Sequence, residues 1–498
     1  MKKPIYSLIL ICCLPCSVYA QSGNTNAQQK YIEQQQQAFR NYARATNENF
    51  KKYKDSLNTV YSNYLAQEWK RFELFKPNPL IKNPIPKPPV YDPNTPKPEP
   101  EKVPVIGEPK PVKPEPKPQP EPEPTPEPKP EPKPEPPKED VLKASFYGTN
   151  IKLKPTKQNA HLADVTEKSV ANYWAALSKC SYTDWTNDAQ RLQNELNLND
   201  WGTCQLLNSL FKAYFPTSNA NEQVVFNVFV LNQLGYRAKI GRNANQLFVL
   251  AAFEEDVFNT SYFIFGDKVR YYLINPTHKA ISNVQTCAVN YGGSKSNIRL
   301  SLSEQPHLSV QTRTKNLTFS GKSYPISYNQ NLLDFYDTYP LAYFTVFAEA
   351  SIDNTAWQSV LSQIKPNVSN KSQEEAVNWL LYFVQSAFQY KTDEDNQGYE
   401  KWSFAEETLA SAYSDCDDRA ILFSQLVRHL LGMKVVLLYY PGIHLATAVK
   451  FNNTQTNGDY LTVDGQKYIV CDPTYVGANL GMGMPDLRSV AVEVIKLK

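Results

Sequence analysis

The chain has 498 residues, 41% of them hydrophobic and 20% charged, with 38 prolines, eight cysteines and a formal charge of +3. That length accommodates two to four domains and at least one full-sized core. A nearly balanced charge provides no field for holding a polyanion, which argues against a nucleic-acid partner. No stretch beyond the first twenty residues has the roughly 18 uninterrupted apolar positions of a spanning helix.

The first residues, MKKPIYSLILICCLPCSVYAQSG, read as a signal peptide over 1–20. Lys2 and Lys3 supply the positive start, Ile5 to Val18 the apolar stretch, and Val18-Tyr19-Ala20 the small-residue cleavage site. Export to the periplasm or cell surface of a bacterium is therefore expected. Lipidation at Cys12, Cys13 or Cys16 is the weaker alternative, because none follows the small residues a lipobox needs. Cleavage would leave Cys180, Cys204, Cys287, Cys416 and Cys471. An odd number of thiols in an exported chain leaves at least one free or paired between chains.

Residues 21–76 predict a helical, coiled-coil-like arm. Phe39, Tyr42, Phe50, Tyr53, Leu57, Tyr61, Tyr64 and Phe72 fall on one stripe at helical spacing, with no proline or glycine between 25 and 75. Such a stripe calls for self-association, folding back, or docking on a partner. Residues 77–140 predict an extended polyproline II linker. Pro77 to Pro137 hold 26 of the 38 prolines, mostly as Lys-Pro and Glu-Pro, and proline fixes φ and removes a donor. At about 3.1 Å per residue it could span on the order of 190 Å, which suits a spacer. Two globular blocks follow, 141–330 and 331–498. The run from Ile281 to Tyr328 predicts several short strands.

The chemistry concentrates in the second block. Ser414-Asp415-Cys416-Asp417-Asp418-Arg419-Ala420 opens a helix whose apolar face runs from Ala420 to Leu431 and whose cap is Gly432. A strand to Tyr440, a Pro441-Gly442 turn and a strand opening at His444 follow. A later strand closes at Asp472-Pro473. A thiol at a helix start, a histidine and a carboxylate in that order suit a cysteine nucleophile. The helix end and an imidazolium stabilise the thiolate, and the carboxylate orients the ring. The neighbouring Asp415, Asp417 and Asp418 raise a thiol pKa, so the thiolate is favoured only if they face solvent.

Each residue also has a plainer reading. Cys416 could be an inert core thiol or pair with Cys471, His444 could be a satisfied core histidine, and Asp472 could begin a turn. With five histidines and, beyond the leader, no Cys-x-x-Cys or His-x-x-x-His pair, the sequence calls for no metal and no other cofactor.

Cys416 with the following Asp-Asp-Arg-Ala helix, His444 opening a strand and Tyr468-Ile469-Val470-Cys471-Asp472-Pro473 closing one resemble the transglutaminase-like superfamily over roughly 370–480. The resemblance implies an α+β fold with a papain-like core: a helix bearing Cys416 packed on an antiparallel sheet bearing His444 and Asp472. It also implies acyl chemistry on a protein or peptide substrate, cell-wall peptide included. Ser414 stands where members commonly have glycine. Gln389, Tyr390 and Trp402 are candidates for a second oxyanion donor beside the backbone N–H of Cys416. Hydrolysis is preferred over cross-linking transfer, since no site for an acceptor amine is visible. The rival expectation is a silent binding or scaffold protein with a vestigial triad.

The first block carries an echo at constant offset. FVLNQLGYRAKI aligns with LVRHLLGMKVVL, QLFVLAAF with HLATAVKF, and YYLINPT with KYIVCDPT, displaced by 197 or 198 residues. Gln246 then stands for the histidine, Asn275 for the aspartate, and a position near Asn219 for the nucleophile. The block 141–330 is thus expected to be a degenerate, catalytically dead copy.

Overall fold

A computed structural model describes residues 25–75, 87–93, 100–106, 141–156, 160–274, 281 and 283–498. The leader over 1–20, its three cysteines, most of the proline-rich segment and Asn275 lie outside the described residues. The protein is mixed α+β, with antiparallel sheets and one long N-terminal helix, Thr25–Leu65. Chain contacts separate residues up to Ser56 from a body running from Leu57 to Lys498.

In the first unit the helix carries Phe39, Tyr42, Phe50 and Tyr53 outward, each more than half exposed. The same stripe changes character in the body. Tyr61 (2% exposed), Leu65 and Trp69 join the larger hydrophobic core, with Tyr61 meeting Trp174 and Tyr291 edge-on at 4.9 and 5.5 Å. Lys70–Arg71 then pairs as an edge strand with Gln285–Thr286, and Phe75 bridges Tyr262. The expected arm of 21–76 therefore ends as an arm near Ser56. Residues 57–75 are part of the fold, because the stripe finds rings to pack on.

The expected linker differs in the same way. Residues 87–93 and 100–106 run along the C-terminal half, with Tyr91 N–H donating to Val476 O, Val103 N–H to Tyr460 O and Ile106 N–H to Val492 O. Residues between prolines keep their N–H groups, and extended backbone presents them to strand and turn carbonyls. Along these stretches the segment is a strap, not a free spacer. Of the strands expected between Ile281 and Tyr328, only Gln285–Thr286 and the hairpin Thr312–Phe319/Lys322–Asn329 form, the remainder being irregular.

Within the body the two halves repeat one plan. In the first, a helix (Ala220–Leu234) ends at Gly235 in the left-handed region and feeds strands Ala238–Asn243, Gln246–Ala251, Tyr262–Ile264, Arg270–Ile274 and Gln285–Thr286. In the second, Cys416–Leu431 ends at left-handed Gly432 and feeds Val435–Tyr440, His444–Val449, Tyr460–Val463, Gln466–Cys471 and Glu493–Lys496. Numbering each set one to five along the chain, both sheets have the order 5-1-2-4-3, all antiparallel.

The registers match as well. Ala238↔Ala251 corresponds to Val435↔Val449, Val249↔Ile274 to Thr447↔Cys471, and Tyr262↔Tyr272 to Tyr460↔Ile469. Each residue is displaced by 197 or 198. One single-residue step lies in the first hairpin turn, which is Ala244-Asn245 in one half and Pro441-Gly442-Ile443 in the other, and it is reversed between the third and fourth strands.

Tyr61 supplies the test of the docked helix end. Its hydroxyl is buried with no partner, so removing that oxygen costs nothing while removing the ring opens a cavity. Urea titration should show Tyr61→Ala losing about 3–5 kcal/mol, Tyr61→Phe unchanged or more stable, and exposed Phe39→Ala within about 0.5 kcal/mol of the parent.

Candidate functional site

The cysteine helix begins at Cys416 with Asp415 as its N-cap, and it packs on the sheet that carries His444 and Asp472. His444 opens its strand opposite Tyr440, in the register set by the Pro441-Gly442 turn, and is fully buried. Its Nε2 lies 2.9 Å from Asp472 Oδ2. A carboxylate only accepts, so that bond puts the ring hydrogen on Nε2 and leaves Nδ1 as the basic nitrogen. Nδ1 is buried and makes no hydrogen bond. The backbone N–H of Leu445, next to His444, reaches the Cys416 sulfur. Helix, strand and turn thus bring Cys416, His444 and Asp472 to one place.

Asp472 is held from two sides. Its Oδ1 accepts the Thr474 N–H at 2.9 Å, and its backbone oxygen accepts from Gln385 Nε2 at 3.2 Å. Gln385 also donates to Ala478 O and accepts the Gly477 N–H, closing the turn after the aspartate. Arg419, fully buried, donates to Ser414 Oγ and to the carbonyls of Gln385 and Phe388. One guanidinium therefore ties the residue two before the cysteine to the helix that carries Gln385. These two positioning residues were not singled out from sequence. Arg419 stood in the Asp-Asp-Arg-Ala run, but Gln385 has no sequence signal, since its role depends on a turn ninety residues away.

Of the candidates for a second oxyanion donor, Gln389 and Tyr390 pair in parallel with Tyr413-Ser414, immediately before the cysteine. Trp402 is buried and stacked on Phe344 at 4.0 Å. The parallel pair puts the 389–390 backbone nearest in the chain of contacts to the helix start.

The electrostatics correct one expectation. Asp415, Asp417 and Asp418 do not face solvent; all three are buried with the thiol. Burial, then the charge of Asp415, pushes the Cys416 thiol well above its ordinary value, against the smaller help of the Leu445 N–H. At rest Cys416 is a neutral thiol. Burial likewise raises the carboxyls themselves: Asp415 to about 8, Glu400 to about 7 and Asp393 to about 10, with Asp418 adding to each by repulsion. The donor atoms of Asp415, Cys416 and Asp417 lie within 4.8 Å of one another, the one group among the described residues spaced to hold a cation. A shared proton between Asp415 and Asp417 serves the same spacing. Cys416 and Cys471 are not bonded to each other, so the alternative disulfide is not formed.

In the first half Gln246 occupies the register position of His444, and Asn219 caps its helix through a capping box with Glu222. Counted back from the matched glycines Asn219 stands opposite Cys416, but it is the cap of its helix, the place Asp415 holds in the other half, and Ala220 is the first helical residue. Comparison with protein-family models, with curated proteins and with solved structures finds no match for this chain.

The raised carboxyls fix a sign for stability against pH. Groups raised on folding bind more protons in the folded state, so their contribution is fully present below the unfolded values near 4 and is lost as pH rises through the folded ones. For Asp415 and Glu400 the loss falls between about pH 4 and pH 8. Calorimetry should find Tm several degrees lower at pH 8.5 than at pH 5.5, with a smaller difference in Asp415→Asn.

Proposed function

We propose that this chain is a transglutaminase-like cysteine hydrolase that cleaves peptide, isopeptide or carboxamide bonds through an acyl-thioester on Cys416. The observation that carries this reading is the buried His444 ring, bonded to Asp472 through Nε2 and leaving Nδ1 unpartnered, on a strand whose next residue, Leu445, turns its N–H to the Cys416 sulfur.

The steps follow from those positions. Nδ1 takes the thiol proton as sulfur attacks the carbonyl carbon, and the new imidazolium is held by Asp472. Charge developing on the carbonyl oxygen meets the N–H groups at the helix start. Collapse breaks the C–N bond while the imidazolium returns its proton to the leaving amine. Water then attacks the thioester, giving its proton to Nδ1, and the thiol is regenerated as the acid product leaves. An amine in place of water would turn the same intermediate to cross-linking. An exported site of action, in the periplasm or at the cell surface, is part of this proposal and rests on the leader.

A second reading, a silent binding or scaffold protein, is favoured by one observation: Cys416 and His444 are both closed from solvent and the thiol is not acidic. On the hydrolase reading, the loop over 399–404, tied to the cysteine helix by Ser403 N–H to Asp418, must open for a substrate.

The two readings separate on a small acyl donor. Incubation with p-nitrophenyl acetate followed by peptide mass analysis should show an acetyl adduct on Cys416 that hydroxylamine removes. Cys416→Ala should show none, and His444→Ala should acylate at least 100-fold more slowly. An adduct that forms equally fast without His444 would make the triad ornamental. The first half should carry no such adduct at Cys204, whose buried thiol is pushed above its ordinary range.

A further inference from the structure

Where the second half closes its Cys–His–Asp arrangement from water, the first half opens. A cavity of about 1060 Å³ lies at the corresponding place, lined by Gln246 at the histidine position, by Ala220 at the helix start and by Ile274 at the end of the fourth strand. The volume is that of a ligand site and not of a packing defect.

Its walls have a defined chemistry. Gln205, Asn208, Gln223 and Asn227 project from two packed helices and bond one another: Asn208 Nδ2 to Gln205 Oε1, then Gln223 Nε2 and Asn227 Nδ2 both to Asn208 Oδ1. Asn227 is 9% exposed, and its Oδ1 is buried with no partner. A buried acceptor left without a donor costs stability that folding must recover elsewhere, and Asn227 is itself one of the residues lining the cavity. Between the amides the wall is apolar, with Leu231, Val249 and Ile298.

Among the described lining residues, charge enters at one end, through Asp337, Glu400 and Lys401. Lys401 is already engaged by Asp337 and Glu407 at 2.8 Å each. That end is also the one that leads to the nucleophile. Glu400 acts electrostatically on Cys416 and Asp415, and three residues on the Ser403 N–H donates to Asp418 of the cysteine helix.

We infer that this cavity binds an extended, uncharged stretch of peptide, its main-chain amides meeting the Asn and Gln lattice and its apolar side chains the wall between. Side-chain amides offer a donor and an acceptor apiece, which matches the alternating groups of a peptide backbone. A glycan fits less well: it wants open aromatic faces and carboxylates along the wall. Here Trp201 and Trp402 are buried to within a few percent, Phe258 and Tyr399 are only partly exposed, and the carboxylates among the described lining residues are confined to one end. Resting on the hydrolase reading, the bound stretch is part of the substrate, and its end at 399–402 hands the neighbouring bond to Cys416. The degenerate half would then be the docking module for the working one.

The test uses the full chain in a Cys416→Ala background, so that no turnover intervenes, and reads fluorescence anisotropy of tagged octapeptide pools capped at both ends. Three pools are compared, uncharged, Asp/Glu-bearing and Lys/Arg-bearing, with N-acetylchitotetraose as competitor. The uncharged pool should bind at least tenfold tighter than either charged pool. Asn227→Leu should weaken it at least tenfold, as should Gln246→Trp, an exposed position where the new ring fills the mouth without touching the core. Preference for a charged pool, displacement by the chitotetraose, or affinity unchanged in both variants overturns the inference. Binding measured without the thiol is independent of acylation at Cys416, so loss of one leaves the other reading standing.

Discussion

Negative charge buried beside a thiol is the constraint on which the rest of this structure turns. Asp415, Asp417 and Asp418 are taken out of water at the first turn of the cysteine helix, where the partial positive charge of the helix end offers only partial compensation. The surroundings supply the remainder. Asp418 accepts the Ser403 N–H, Asp393 accepts the Lys401 N–H, and Lys401 and Arg419 approach from either flank. What these do not neutralise is met by protons, which is why the carboxyls rise. The thiol rises with them, and the same packing that orients His444 against Asp472 keeps Cys416 neutral.

The two halves show how one plan supports opposite outcomes. Sheet order and register are shared down to the single-residue step in the first hairpin, yet one half buries a histidine and the other exposes a glutamine at the same position. The buried ring needs a carboxylate, and the carboxylate needs Gln385 and Thr474 to hold its turn. The first half, without a titrating group to satisfy, lines the equivalent space with amides that bond each other and leaves it open.

The N-terminal segments join the halves to one body in ways their composition hides. Tyr61, Leu65 and Trp69 fill the core of the first half, and short extended stretches among the prolines bond Tyr460, Val476 and Val492 in the second. The aspartate turn is reached by this strap: Tyr91 packs edge-on to Tyr475, three residues past Asp472, with ring centroids 6.1 Å apart.

The sequence by itself determined the local elements of the candidate site. Gly432 at a helix end, the Pro441-Gly442 turn, His444 opening a strand and Asp472-Pro473 closing one are short-range features, and each depends on backbone chemistry within a few residues. The constant offset between the halves was equally legible, because a repeated register leaves a repeated pattern of apolar positions. What only the tertiary structure decided is where the charges went and what the exposed stripes met. Asp415, Asp417 and Asp418 stand on the polar side of any sequence pattern, yet loop 399–404 and the sheet close over them. Gln385 and Arg419 act through partners far along the chain, and Tyr61 and Tyr53 look alike until one finds Trp174. Burial is a property of what packs against a residue from elsewhere, and no spacing within a helix or strand records it.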